Sequence, residues 1–347
     1  MEVPGSVVLD GPEGTAVVTD LPDGTRLVSS TPWDPEAYVS RRECTTKYSP
    51  ELIAMILRVK GARWLCEEIE REENPGYLQH ELWWTVRAHL SEQELHGRRV
   101  LDFGCGAGPS TMILARLFDQ GQTVGVDIDE PALEIAEARR QHYGMANVEF
   151  RLSSNPMGLP DGLGQFDVII CSAVLEHLLP DERPVVIPAL WASLRPGGII
   201  LICETPHRFS PIETHTTGGL PLINYLPPPL AMWAARRFSK RVWPGATWQG
   251  LLRAGIRGSS EGEFLRILRH AGARDASVRR PSAHAAVCDE FDLWYEISHV
   301  NELPRLKGHL RKVFRALKRA TGVSFTPYLA FAVQRPADPS APHTRPA

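Results

Sequence analysis

No run of about 18 apolar residues occurs in this 347-residue chain, so a transmembrane helix is not expected. The first residues, Met1-Glu2-Val3-Pro4, lack the basic and apolar regions of a secretory signal, and a cytoplasmic location is the expectation. Cysteine is sparse: there are six, none in a C-x-x-C pair, which removes the common zinc-site spacing. No metal site is expected. Cys171 and Cys203 fall in apolar runs, as small core residues do. Neither sign of charge dominates. Lys and Arg number 38 against 41 Asp and Glu, a net of −3, which argues against whole-chain affinity for nucleic acid. No internal repeat is present. What remains is a globular composition, 43% hydrophobic, with length for one core of ~150–250 residues plus additions.

From Arg99 the chain alternates buried-strand and helix patterns, which predicts a parallel sheet with helices on both faces. Strands are expected at 99–103, 123–128, 147–152, 167–172 and 199–203, with Leu194-Arg195-Pro196-Gly197-Gly198 as the turn into the fifth. A helix at 261–272, a strand at 274–279 and a last strand at 328–333 complete the pattern, with 282–325 as an insertion. Upstream, Ser49-Pro50-Glu51 begins a helix. Glu67, Glu68, Glu70, Glu72 and Glu73 form an acidic face that is expected to be solvated. A second helix over 77–90 is expected to carry Trp83 and Trp84 into the core. Residues 1 to 30 carry only a weak hairpin signal.

The segment Val100-Leu101-Asp102-Phe103-Gly104-Cys105-Gly106-Ala107-Gly108 joins the first strand to a helix. Its glycines allow a sharp turn and close approach to a ligand, and the helix start offers free N–H groups. Asp127 ends the second strand, where an acid can accept both ribose hydroxyls. The G-x-G-x-G spacing departs from the G-x-G-x-x-G of nicotinamide and flavin sites. Asp102 before it is suited to hold an ammonium through the loop. Together these residues resemble motif I of the class I S-adenosylmethionine-dependent methyltransferases. The resemblance implies a Rossmann-like, doubly wound, seven-stranded, mostly parallel α/β sheet. It also implies a last strand that runs antiparallel between strands five and six. It further implies S-adenosyl-L-methionine as cofactor, with Asp102, Gly104, Cys105, Gly106 and Gly108 at the methionine end. Asp127 would hold the ribose and Ile128 would cover the adenine. Ser154, beside Ser153, stands where the family usually places an acid for the adenine amino group.

Ser172-Ala173-Val174-Leu175-Glu176-His177 resembles a segment of small-molecule members, with Ser172 facing the methyl-donor pocket. His177 is read either as a loop-orienting residue or as a base. The stretch from Glu204 to Pro221 leaves the carboxyl edge of the sheet and resembles a bacterial group of these enzymes. His215, then His207, are its candidates for a base or a substrate-orienting residue, against an ordered loop whose histidines only bond backbone. Tyr77, in Pro75-Gly76-Tyr77, is a candidate cofactor lid or a packing residue.

Between Glu213 and Glu261 there is no acid, yet Arg236, Arg237, Lys240, Arg241, Arg253 and Arg257 interleave with Trp233, Trp243 and Trp248. A second basic segment, 307–319, carries an apolar stripe of Leu306, Leu310, Val313, Phe314 and Leu317. In the first, Leu230 to Phe238 reads as a piece lying at a membrane interface. The second reads as an amphipathic helix packed on the core, with an acidic or lipid-linked substrate or peripheral docking at the inner membrane face as the alternative. The expected organisation is an extension at 1–48, a helical cap at 49–95, the cofactor-binding core at 96–206, substrate-side insertions and last strands at 207–335, and a disordered tail at 336–347. The favoured activity is methyl transfer to O, N or C of a small or lipid/glycan-linked metabolite. The alternatives are an RNA or protein methyltransferase using the basic segments, and a cofactor-binding protein without catalysis. Nucleic acid is the disfavoured partner, and the sequence does not specify an oligomeric state.

Overall fold

Turns at Gly11–Gly14 and Leu21–Thr25 fold the first segment of the chain into more than a hairpin. In the computed structural model, which describes residues 5–36, 38–155, 157–298 and 304–338, four antiparallel strands lie in the order β1-β2-β3-β4. They are β1 (Ser6–Gly11), β2 (Gly14–Asp20), β3 (Arg26–Pro32) and β4 (Glu43–Thr46). Alternate residues Ala16, Val18, Val28 and Cys44 face inward, as strand periodicity dictates. They pack on α1 (Pro50–Lys60) and α2 (Leu65–Glu73) through Ile53, Ile56, Leu57, Cys66 and Ile69. Ser49 caps α1 by accepting the Leu52 N–H, as its sequence predicts.

The acidic face of α2 is not solvated. Glu72 is 1% exposed and accepts from Arg116 (2.6 Å), Tyr48 (2.5 Å) and Tyr143 (2.6 Å). Glu68 accepts from Arg139, which is fully buried, at 2.9 Å. Positions 68 and 72 share one helix face, and that face meets cations of the central domain. After α2 the chain makes one irregular turn at Pro75–Gln79, where Tyr77 is non-helical, before α3 (His80–His89). Leu82 and Val86 of α3 enter the core. Trp83 stays 37% exposed, and Trp84 packs with Val287 and Leu293 rather than against the central sheet.

The central elements follow as β5 (Arg99–Phe103), α4 (Pro109–Leu117), β6 (Gln122–Asp127), α5 (Glu130–His142), β7 (Val148–Leu152), β8 (Phe166–Ser172), α6 (Arg183–Ala192) and β9 (Leu194–Cys203). The expected turn at 194–198 lies inside β9, where the pairing with β8 slips register between Phe166 and Val168. Beyond β9 come the short pair β10 (Ile212–Glu213) and β11 (Leu220–Pro221), then α7 (Pro228–Phe238) and α8 (Trp248–Arg253). The last elements are α9 (Glu261–His270), β12 (Ser277–Arg279), α10 (Glu290–Ile297), α11 (Pro304–Thr321) and β13 (Phe331–Gln334). The seven-stranded sheet runs β12-β13-β9-β8-β5-β6-β7. All its strands are parallel except β13, which pairs antiparallel with both neighbours. The strand order reverses between β5 and β8, so the carboxyl ends of these two strands border the crevice where such sheets bind ligands.

In α11 only Phe314 of the expected apolar stripe is buried; Leu306, Val313 and Leu317 are exposed. Three of its basic residues pair with acids of α10 and its N-cap: Arg311 with Asp292, Arg315 with Asp289 and Asp292, Lys318 with Glu290. Among the described residues no helix is long and apolar enough to cross a membrane. Most of the expected disordered tail, 339–347, lies outside the described residues.

Candidate functional site

The glycine loop is anchored by the Gly104 and Cys105 N–H groups, which donate to the Val126 carbonyl at 2.8 and 3.1 Å. Gly104, Gly106 and Gly108 adopt φ of +75°, +53° and +86°. A Cβ on Gly104 would lie 2.5 Å from Val174 Cγ2, and one on Gly108 2.8 Å from Ala136 Cβ. A Cβ on Gly106 would meet nothing within 4 Å, because this residue faces open space. Cys105 is buried, with its sulfur against Gly125. Burial pushes its thiol up, so it packs behind the loop rather than reacting.

Asp102 is 1% exposed and accepts the hydroxyls of Ser110 and Thr111, both at 2.6 Å. Burial pushes its carboxyl up to about 6, against the pull of those two donors. Asp127 is held by backbone donors. One oxygen accepts the Gly106 N–H at 2.7 Å, and the other accepts Ile128 at 2.7 Å and Asp129 at 2.9 Å. Beside it Ile128 exposes 59% of its surface.

Gly104, Asp127, Ile128, Ser153 and His177 line a cavity of about 480 Å³; Asp102, Cys105, Gly106 and Gly108 are not on its wall. Ser153 lies on this wall and Ser154 does not; Ser154 is exposed elsewhere. The Ser153 hydroxyl points into its own loop, toward the carbonyls of Asn155 (2.8 Å) and Gly158 (3.0 Å). Ser172, at the end of β8, donates to Glu204 at 2.5 Å. Glu204, at the end of β9, is 3.5 Å from Arg71 of α2. Glu81 of α3 joins this group, and burial beside Glu204 holds its carboxyl well above the usual range. Tyr77 stands at the edge of the group, its ring under the Arg71 guanidinium at 5.6 Å and its hydroxyl donating to Glu67.

The three candidate histidines separate. His177 and His215 have ring centroids 5.9 Å apart. His177 is bracketed by Arg253 of α8: its Nδ1 lies 2.6 Å from the Arg253 carbonyl, and Arg253 donates back to the His177 carbonyl at 2.9 Å. His215 is placed by Glu213, which is 2% exposed and accepts the N–H groups of His215, Thr216 and Thr217 at 3.0, 2.8 and 2.6 Å. Burial, reinforced by His177, lowers the affinity of His215 for a proton. Glu176, fully buried between them, accepts Thr205 Oγ1 at 2.9 Å, and burial lifts its carboxyl to about 8.

His207 lies elsewhere. The chain beyond β9 continues to pair, with the His207 N–H donating to Pro327 (2.8 Å) and the Arg208 N–H to Ser259 (2.7 Å). This carries His207, 3% exposed, to a separate cavity of about 550 Å³ shared with His89 and Arg315. Burial lowers its proton affinity to about 4. Arg71, Glu81, Glu204 and Arg253 were not picked out as site residues by the sequence, in which nothing links the first two to the strand ends they approach.

Residues 100–198 match the family described as "Methyltransferase domain". A demethylmenaquinone methyltransferase of Lactococcus lactis is 35% identical over 138 residues, 40% of this chain and 53% of that protein. A ubiquinone biosynthesis O-methyltransferase of Bordetella avium is 36% identical over 138 residues, 40% of this chain and 54% of that protein. The chain therefore spans about half the length of these curated relatives. The crystal structure of magnesium protoporphyrin IX methyltransferase (ChlM) from Synechocystis PCC 6803 with bound SAH aligns at a TM-score of 0.41 and 17% identity. That alignment covers 74% of this chain and 84% of that one.

Proposed function

We infer that this chain acts as a class I S-adenosylmethionine-dependent methyltransferase, a reading supported by the match of residues 100–198 to a methyltransferase domain and by the methyltransferase relatives. On that premise we propose that it transfers a methyl group from S-adenosylmethionine to O, N or C of a small or lipid/glycan-linked metabolite. The observation that carries the proposal is the Asp127–Gly106 bond beside open space. Asp127 and the exposed Ile128 stand on the cavity wall, and the glycine that Asp127 holds faces open space. These groups fit the cofactor. Asp127 would accept the ribose hydroxyls, Ile128 would cover the adenine, and Asp102 with the loop would face the methionine ammonium. Arg71, with Glu204 and Glu81, is the charged group past Ser172, suited to the carboxylate and ammonium of an amino acid.

Bound there, S-adenosylmethionine supplies a methyl on a sulfonium, transferred by in-line displacement. The protein's task is placement in a dry site. His177 lines the cavity and His215 lies beside it, ring centroids 5.9 Å apart, on loops fixed by Arg253 and Glu213, which suits them to orient an acceptor. His207, in the other cavity, is not assigned this role.

The relatives named for demethylmenaquinone and for ubiquinone biosynthesis support a small or lipid-linked acceptor. So do the exposed Leu230, Trp233 and Phe238 of α7, next to Arg236 and Arg237. The pairing of three α11 cations with acids of α10 and its N-cap weighs against an RNA surface there. Calorimetric titration with S-adenosylmethionine, S-adenosylhomocysteine and NADH tests the reading. Micromolar binding of the first two, absent for NADH and about tenfold or more weaker in Asp127→Ala, is expected. Well-folded protein that binds neither adenosyl compound would sink it.

A further inference from the structure

We propose that Glu176, His177 and His215 form a binding site for one divalent transition-metal ion of the zinc or cobalt kind. Each offers one ligand atom, and these atoms lie within 4.8 Å of one another, the one such group among the described residues. The residues come from two separate segments: Glu176 and His177 follow β8, whereas His215 follows β10.

Two buried atoms in this group have no hydrogen-bond partner: Glu176 Oε1 and His215 Nδ1. A buried acceptor left without a partner is destabilising, the more so when it is charged. Glu176 has no exposed side-chain surface, and its unpartnered Oε1 lies 3.8 Å from His177 Nε2. The opposite nitrogen of that ring, Nδ1, is tied to the Arg253 carbonyl. The N–H of the neutral ring donates there, which leaves the Nε2 lone pair directed toward Glu176. Tying the far nitrogen to a carbonyl is how metal-binding histidines are fixed in tautomer and orientation. Glu213 fixes the loop of His215 in turn.

Only glycine fits the backbone beside the group. Gly255, at φ +97°, lies against the pair, and a Cβ there would stand 2.7 Å from His215 Nδ1 and 3.1 Å from Glu176 Cγ. Two imidazoles and a carboxylate, without thiolate, suit zinc, cobalt, nickel or iron(II) rather than calcium or magnesium. Zinc bonds of about 2.0–2.1 Å place tetrahedral ligands about 3.3 Å apart, so binding draws the 47%-exposed His177 side chain inward. His177 also lines the cofactor cavity. The open position of the ion would face that cavity and could take an acceptor oxygen. The site is defined by binding, so it stands or falls apart from the methyl-transfer reading.

Chelator-stripped full-length protein would be titrated with Zn²⁺, with bound metal measured after equilibrium dialysis, and with Co²⁺, followed by visible absorption. One equivalent at micromolar affinity or tighter is expected, with a cobalt ligand-field band. His177→Ala, at an exposed position, should retain the wild-type circular dichroism and bind about tenfold or more weakly. Glu176→Gln should behave alike if it folds. Binding of less than about 0.2 equivalents by the wild type overturns the proposal. So does unchanged affinity in folded His177→Ala, which would place the ion elsewhere.

Discussion

Asp127 accepts the Gly106 N–H at 2.7 Å, so the acid that ends β6 grips the middle glycine of the loop leaving β5. The flanking glycines serve packing, because Cβ atoms on Gly104 and Gly108 would strike Val174 and Ala136. Gly106 alone of the three faces open space. Gly106→Ala should therefore cost only the left-handed backbone strain of about 1–2 kcal/mol, yet place a methyl where the ligand must approach. Gly108→Ala should lose more stability, since it adds a collision to the same strain. Thermal denaturation together with S-adenosylhomocysteine titration separates the two effects. Wild-type affinity in Gly106→Ala would mean that the ligand does not approach this loop.

The fully buried Arg139 guanidinium ties the N-terminal unit to the loop itself. It donates to Glu68 Oε1 at 2.9 Å, the Glu68 carbonyl at 2.8 Å and the Ala107 carbonyl at 2.7 Å. Removing one partner of a buried ion pair costs about 3–5 kcal/mol. Arg139→Ala and Glu68→Gln should each lower the unfolding free energy by that order, measured in urea. Arg139→Ala should also weaken cofactor binding, because Ala107 lies between Gly106 and Gly108. A loss below about 1 kcal/mol in either variant would show that the pair carries no such burden.

If Asp102 faces the ammonium of the cofactor, as proposed, cofactor affinity should depend on pH. Its carboxyl is pushed up to about 6 by burial, above the ordinary aspartate value of ~3.9. In the free protein the folded state therefore holds this proton more tightly than the unfolded chain. The resulting contribution to stability is fully present below about 3.9 and is lost as pH rises through about 6. A cationic ligand end favours the ionised form, so binding must expel the proton at low pH. Affinity for S-adenosylhomocysteine should fall as pH drops from 7 to 5, and Asp102→Asn should flatten that part of the profile. Parallel profiles for the two proteins would exclude Asp102 as the titrating group.

The sheet and the glycine loop were legible because their signals are local: apolar runs, glycines and an acid at a fixed offset within a few dozen residues. The strand β4 was not, since the polar stretch Glu43–Thr46 is a strand only through pairing with β3. The acidic face of α2 misled for a related reason. Charges on a helix read as solvated until the cations of α4 and α5 are folded against them. Ser153 and Ser154 differ by one residue at the end of β7, where a single step reverses the facing side. Glu176 and His215 meet only because the β10 loop and α8 fold back over the β8 end, a closure that no spacing rule encodes.

Exposed apolar residues on α7 predict contact with a lipid surface. Trp233 and Phe238 are 60% and 57% exposed and stack edge to face at 5.5 Å, with Arg236 and Arg237 between them in sequence. Exposed aromatics of this size seldom stand together on a soluble face without a partner, and the neighbouring cations suit anionic headgroups. The helix is otherwise well anchored: Ala231 and Ala235 are fully buried, and Arg236 donates to the Ala246 carbonyl at 2.6 Å. Replacing Trp233 and Phe238 by serine should therefore leave the fold intact. Co-sedimentation with vesicles containing phosphatidylglycerol should retain the wild type, lose it as salt rises, and retain the double variant about tenfold less. Vesicle binding that ignores both salt and the substitutions would place the contact on another surface, such as the exposed Leu306, Val313 and Leu317 of α11.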